Sequence, residues 1–217
     1  MKICTFICFI VFLDFFQFGE SAFGIDISVS ATVAQLQKFR SNNTFFIGRI
    51  FRSADLADPI GVGNIVKARQ AGFDDVDGYI FPCSKSCKKS AVTQVTEALD
   101  GLEAQNAQVG TIWLDIEVPS SWPSDVTANR KFITDMVNTA SNRGYNVGIY
   151  TGKSHWEGIC GSSYQEYSNY PLWWTRFTGV ADMTTKWENF GGWSSPTIHQ
   201  YADTLTAYGL GYDPNVK

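Results

Sequence analysis

The chain has 217 residues, 17 basic and 21 acidic, for a formal net charge of −4. A mildly acidic chain whose only basic cluster is Lys85, Lys88 and Lys89 (read as a solvated loop) is not built to hold nucleic acid, and no nucleic-acid partner is expected. Its aromatic content of 15% serves either a packed core or the flat apolar platforms of a sugar-binding cleft, and composition does not choose between them.

Lys2, an apolar run from Ile3 to Leu13 and small residues at Ser21-Ala22 form the pattern of a secretory signal peptide over residues 1–22, cleaved near Ala22-Phe23. The run is about half the ~20 residues a membrane helix needs, and Asp14, Gln17 and Glu20 end its apolar character. The expected product is a secreted or lumenal protein with no membrane contact after cleavage. Residues 23–217 are enough for one domain, and a monomer is expected.

Gly24-Ile25-Asp26-Ile27-Ser28 reads as a short strand. Residues 32–39 read as a helix, with Val33, Leu36 and Phe39 at three-residue spacing. Asn42-Asn43-Thr44 is an N-glycosylation sequon, which places Asn42 in an exposed loop. A strand at 45–51, a helix at 64–70 ending at Gly72 and a strand at 76–81 follow. The helix at 91–102 would turn Val92, Val95, Leu99 and Leu102 to one face. A strand from Thr111, a helix at 128–142 ended by Gly144 and a strand at 147–151 complete the alternation.

Beyond Thr151, segments at 171–177, 197–201 and 208–212 look like strands without long helices between them. Repeated βα units argue for a parallel sheet or barrel whose last third has lost most of its helices.

Cys4 and Cys8 fall in the leader, so Cys83, Cys87 and Cys160 remain. A Cys83–Cys87 disulfide is the favoured pairing in an oxidising compartment, leaving Cys160 free; pairing of Cys160 with either of them is the alternative. No metal site is expected, because neither His155 nor His199 has ligand-like spacing to the cysteines. Both histidines are read as structural.

The chemistry concentrates in Trp113-Leu114-Asp115-Ile116-Glu117. Strand alternation puts Asp115 and Glu117 on one face with Trp113, and Ile112, Leu114 and Ile116 on the other. Paired strand-end carboxyls suit glycoside cleavage, in which one stays protonated as acid while its neighbour is charged. Asp26, inward on the first strand, and Tyr150, inward on the fifth, would reach the same barrel mouth, where such folds build their sites. Asp213-Pro214-Asn215, by itself, reads as a turn.

Taken with Gly148-Ile149-Tyr150, Pro171-Leu172-Trp173, Gln200-Tyr201 and Gly211-Tyr212-Asp213, these stretches resemble the glycoside hydrolase family 25 lysozymes across nearly the whole mature chain. The resemblance implies an α/β fold, a flattened TIM-like (β/α)5(β)3 barrel. It implies a hydrolase cutting the β-1,4 bond between N-acetylmuramic acid and N-acetylglucosamine in bacterial peptidoglycan, in defence or digestion, without a cofactor. Glu117 would be the general acid, Asp115 would orient the N-acetyl group or position water, and Asp26 and Asp213 would complete an acidic ring.

Inward alternation nominates Tyr79, Phe81, Tyr150 and Trp173 as sugar contacts, with core packing an equal expectation for each aromatic. Gln200 could hydrogen-bond substrate, Arg49 could hold a carboxylate, and Trp122 could stack on a sugar ring. Three features depart from the family pattern: Val118 where glycine is common, the ending Trp174-Thr175-Arg176-Phe177, and the Cys83–Cys87 insert. The competing readings are a chitinase, whose further upstream acids are here Thr111 and Trp113, and a non-catalytic peptidoglycan-recognition protein on the same barrel.

Overall fold

The computed structural model describes residues 21–217; all but the last two residues of the expected leader lie outside them. In chain order the elements are β1 (Phe23–Ile27), α1 (Val33–Arg40), β2 (Phe45–Arg52), β3 (Leu56–Ala57), α2 (Pro59–Gln70), β4 (Asp75–Ile80), α3 (Ala91–Ala104) and β5 (Thr111–Asp115). Then come α4 (Val126–Asn142), β6 (Asn146–Thr151), α5 (Lys153–Cys160), β7 (Leu172–Thr175), β8 (Ile198–Gln200), β9 (Leu205–Ala207) and β10 (Leu210–Val216).

Strands neighbour one another in the order β1, β10, β8, β7, β6, β5, β4, β2, and β1 pairs back to β2 to close a barrel. Neighbours run parallel except at β10, which is antiparallel to both β1 and β8. This is the expected (β/α)5(β)3 barrel, with β3 and β9 as small hairpin additions to β2 and β10.

Local chemistry explains where the helices start. Thr32 and Gln35 form a capping box on α1, and Ser90 and Asp125 cap α3 and α4. Helix α2 begins five residues before the expected start, because Asp58 accepts from the Gly61 amide and Pro59 occupies the first turn. Helix α5 completes the fifth βα unit that the barrel type implies, although periodicity assigns no residues to it. It starts at Gly152 without a side-chain cap, so the usual start signal is absent. On α3 the buried face is Ala91, Gln94, Val95, Ala98, Leu99 and Leu102, while Val92 is 47% exposed, against expectation.

The larger correction concerns Asp213-Pro214-Asn215. It is the middle of β10, with Asp26 opposite Asp213 and Gly24 opposite Asn215. Proline is tolerated there because β8 ends at Gln200, opposite Asn215. Pro214 faces Tyr201 just beyond that strand: its carbonyl accepts from the Tyr201 amide at 3.3 Å, and the Tyr201 carbonyl takes the Gly179 amide at 2.9 Å, so the missing N–H leaves no acceptor short.

Alternation divides the apolar residues into two cores. Ile112, Leu114 and Ile116 join the layer between barrel and helices. Phe45, Ile47, Tyr79, Trp113, Tyr150, Trp173 and Ile198 fill the barrel interior, with Tyr79, Trp113 and Tyr150 packed edge-on around Trp173 at 4.5 to 5.9 Å. In the helix-poor last third, aromatic rings take over the helices' covering role. Trp156 packs on Tyr164, Tyr167 and Trp193, and the indoles of Trp156 and Trp193 donate to the carbonyls of Tyr164 and Tyr170.

Candidate active site

Strand ends place the acids. Asp26 ends the inward row of β1 and Asp115 that of β5, and both are buried. Glu117 lies two residues beyond the end of β5, so its longer side chain stands nearer the opening. Its backbone is held from both sides. The Ile116 amide donates to the Tyr150 carbonyl at 2.8 Å, the Thr151 hydroxyl to the Ile116 carbonyl at 2.6 Å, and the Trp122 indole to the Glu117 carbonyl at 2.9 Å. The next residue, Val118, adopts a left-handed conformation with φ of 52°, which is costly for a β-branched side chain. A glycine there would be unstrained.

One cavity of about 210 Å³ gathers Asp26, Asp115, Glu117, Asp213, Arg49, Tyr79, Phe81, Tyr150, Trp173 and Gln200. Every residue expected at the site is therefore brought together except Trp122. That indole is buried against Phe132 on the helix side, so it supports the acid's backbone and offers no stacking face. Tyr79, Tyr150 and Trp173 are buried barrel core at the cavity floor, whereas Phe81 is partly exposed.

Gln200 and Arg49 have their polar groups already engaged. Gln200 Nε2 donates to Asp26 Oδ2 at 2.8 Å, and its Oε1 accepts from the Tyr150 hydroxyl at 2.6 Å. The carboxylate held by Arg49 is Asp58, at 2.8 Å, outside the acidic ring. Its other arm reaches the Ser28 carbonyl at 3.0 Å. Asn215, absent from the sequence-derived set, donates to Asp26 Oδ2 at 2.8 Å and accepts from the Trp173 indole at 2.7 Å. Its two-residue spacing from Asp213 would have nominated it had the segment been read as a strand.

His155, expected to be structural, also belongs to the site. Its Nδ1 is buried without a hydrogen-bond partner, 4.0 Å from Glu117 Oε2, and burial keeps its pKa below the ordinary histidine value. His199 is structural as expected: it stacks on Trp174 and its ring nitrogens meet the carbonyls of Asp182 and Arg176.

The electrostatics follow from crowding four carboxyls into a partly dry space. Burial, then the Asp213 charge, raises Glu117 to about 7. Burial also pushes Asp26 and Asp115 well above the carboxylate range, reinforced chiefly by Asp213 for the first and Glu117 for the second. Asp213 is raised by burial against the pull of the Thr204 amide on its Oδ1. Two donated hydrogen bonds favour the charged form of Asp26. Asp115 Oδ1 is buried and has no hydrogen-bond partner among the described residues. Glu117 is the group that holds a proton near neutrality and can reach outward with it.

Sequence and structure comparisons agree with this geometry. The family model described as "Lysozyme-like protein 1" matches residues 17–201. The chain is 36% identical to "Probable GH family 25 lysozyme 2" of Dictyostelium discoideum, over 88% of this chain and 89% of that one. It belongs to the glycoside hydrolase family 25 lysozymes.

It is 43% identical to "Lysozyme-like protein 5" of Caenorhabditis elegans, over 88% of this chain and 89% of that protein. The fold matches the family 25 lysozyme of Aspergillus fumigatus with a TM-score of 0.72 at 20% identity, covering 91% of this chain and 93% of that one. As a family 25 lysozyme the protein is a glycoside hydrolase, and the acidic cavity at the barrel mouth is the part of it equipped for that chemistry.

Away from the site, Cys83 and Cys87 are joined in a disulfide and Cys160 is free and buried, as the favoured pairing expected. Asn42 lies exposed in the turn after α1.

Proposed function

We propose that the protein is a secreted, monomeric muramidase that hydrolyses the β-1,4 bond between N-acetylmuramic acid and N-acetylglucosamine in peptidoglycan, serving defence against bacteria or their digestion. The observation that carries this reading is Glu117, raised to about 7 and half-buried at the edge of a cavity whose floor holds the buried Asp26 and Asp115. Below that pH it is protonated and can donate to the leaving glycosidic oxygen. Asp115, with Oδ1 unpartnered, suits the N–H of the 2-acetamido group, holding that group against the reacting carbon. Asp26, whose Oδ2 accepts from Gln200 and Asn215, is a buried, fixed acidic group on the cavity floor that polarises the reacting centre.

Release of reducing ends from purified peptidoglycan, measured from pH 4 to 9 beside Glu117→Gln, tests this. The expected result is a release ending in muramic acid, falling as pH rises through about 7 and lost in the variant. Binding to peptidoglycan without release from the wild type would overturn it in favour of recognition alone.

A further inference from the structure

Glu117 also borders a second cavity, of about 250 Å³, on the α5 side of the acidic one. Its walls have the opposite charge, carrying Lys153, Arg176 and Lys186 beside the His155 ring, with Glu188 the one acid besides Glu117. Lys153 is committed to Glu188 at 2.6 Å. Arg176 and Lys186 are exposed, and among the described residues their side chains enter no hydrogen bond or ion pair. Beside them Phe177 leaves 54% of its surface exposed.

The start of α5, without a side-chain cap at Gly152, lines the same space with Gly152, Lys153 and Ser154, and a helix N-terminus adds positive potential. The chain carries an excess of acids, so two unneutralised cations and a bare aromatic face on one side of a cleft mark a place for an anionic, partly apolar group. The acidic cavity would repel such a group, and this one attracts it.

We propose that the α5-side cavity is a subsite for the peptide substituent of the glycan, with Arg176 and Lys186 taking a peptide carboxylate and Phe177 packing under the apolar side chains. This deepens the muramidase reading and rests on it for the identity of the glycan. The charge change across Glu117 would fix which way the strand lies in the cleft. Neutral chains of N-acetylglucosamine would lack the group that orients them.

The test compares wild type with the double variant Arg176→Gln/Lys186→Gln on teichoic-acid-free peptidoglycan, native or with its peptide carboxyls amidated. Both kcat/KM for reducing-end release and co-sedimentation affinity are measured. Amidation should weaken wild type by about tenfold, the scale of one lost charge-assisted contact. The double variant should show that loss already on native material and lose little more on amidation.

Equal responses of the two proteins to amidation would overturn the subsite. So would a variant defect confined to walls retaining teichoic acid, since the anion would then be a phosphate. If neither wild type nor Glu117→Gln released ends, the muramidase reading would fail separately, and the sedimentation comparison would still decide the subsite.

Discussion

Replacing Glu117 by glutamine should abolish hydrolysis and stabilise the fold, and the gain should depend on pH in a way the site dictates. Folding takes this carboxyl from an ordinary 4.5 to about 7. Below 4.5 it is protonated in both states and costs nothing. Between 4.5 and 7 the unfolded chain ionises while the folded one does not, and stability falls with each pH step. Above 7 both are ionised and the loss is complete, about 3 kcal/mol at ~1.4 kcal/mol per pH unit.

Glutamine keeps the shape and removes the titration. Its advantage should therefore be near zero at pH 4 and about 3 kcal/mol at pH 8. Loss of the Glu117 charge also relieves Asp115, which that charge helps to raise, so the gain is not offset by its neighbour. Equilibrium urea unfolding of both proteins at pH 4, 6 and 8 measures the difference. Parallel stability across that range would refute the claim that burial and the Asp213 charge hold a proton on Glu117.

Other substitutions separate strain, positioning and scaffold. Val118→Gly should stabilise the fold at pH 5 by a net ~1 kcal/mol, read from urea unfolding, the left-handed strain relieved exceeding the chain entropy lost; a destabilised variant would mean the φ of 52° is not strained. Trp122→Phe keeps the packing on Phe132 but loses the donor to the Glu117 carbonyl. It should lower kcat more than it raises KM, at a stability cost of ~1 kcal/mol. Asn215→Ala leaves both Asp26 and the Trp173 indole short of a partner. It should cost ~2–4 kcal/mol by urea unfolding, and a loss below ~1 kcal/mol would mean that neither partner depends on it.

Much of this was legible before any coordinates. Alternation on β5 assigns Trp113 and Asp115 inward and Ile112, Leu114 and Ile116 outward without reference to any other strand, because side-chain period is a local property of extended backbone. The same reasoning placed Asp26, Tyr79, Tyr150 and Trp173 inside. Helices α1, α3 and α4, each with a side-chain cap, lie within two residues of their expected starts, whereas α2 starts five residues early at its Asp58 cap and α5 has only Gly152 at its start. Composition could not say that the aromatics are chiefly core, since a ring in a barrel and a ring under a sugar have the same local sequence.

The sequence by itself determined the alternation of strands and helices from β1 to β6, the inward rows and the two acids at the end of β5. Tertiary structure decided what those residues face. It made Asp213-Pro214-Asn215 a strand, because β1 and β8 lie on either side of it. It committed Gln200 and Asn215 to Asp26, turned Trp122 from the cleft to a backbone support, and brought His155 to 4.0 Å from Glu117. The physical reason is that periodicity and capping act over a few residues. Burial, charge proximity and hydrogen-bond partnership act between residues distant in the chain, and these set the proton on Glu117.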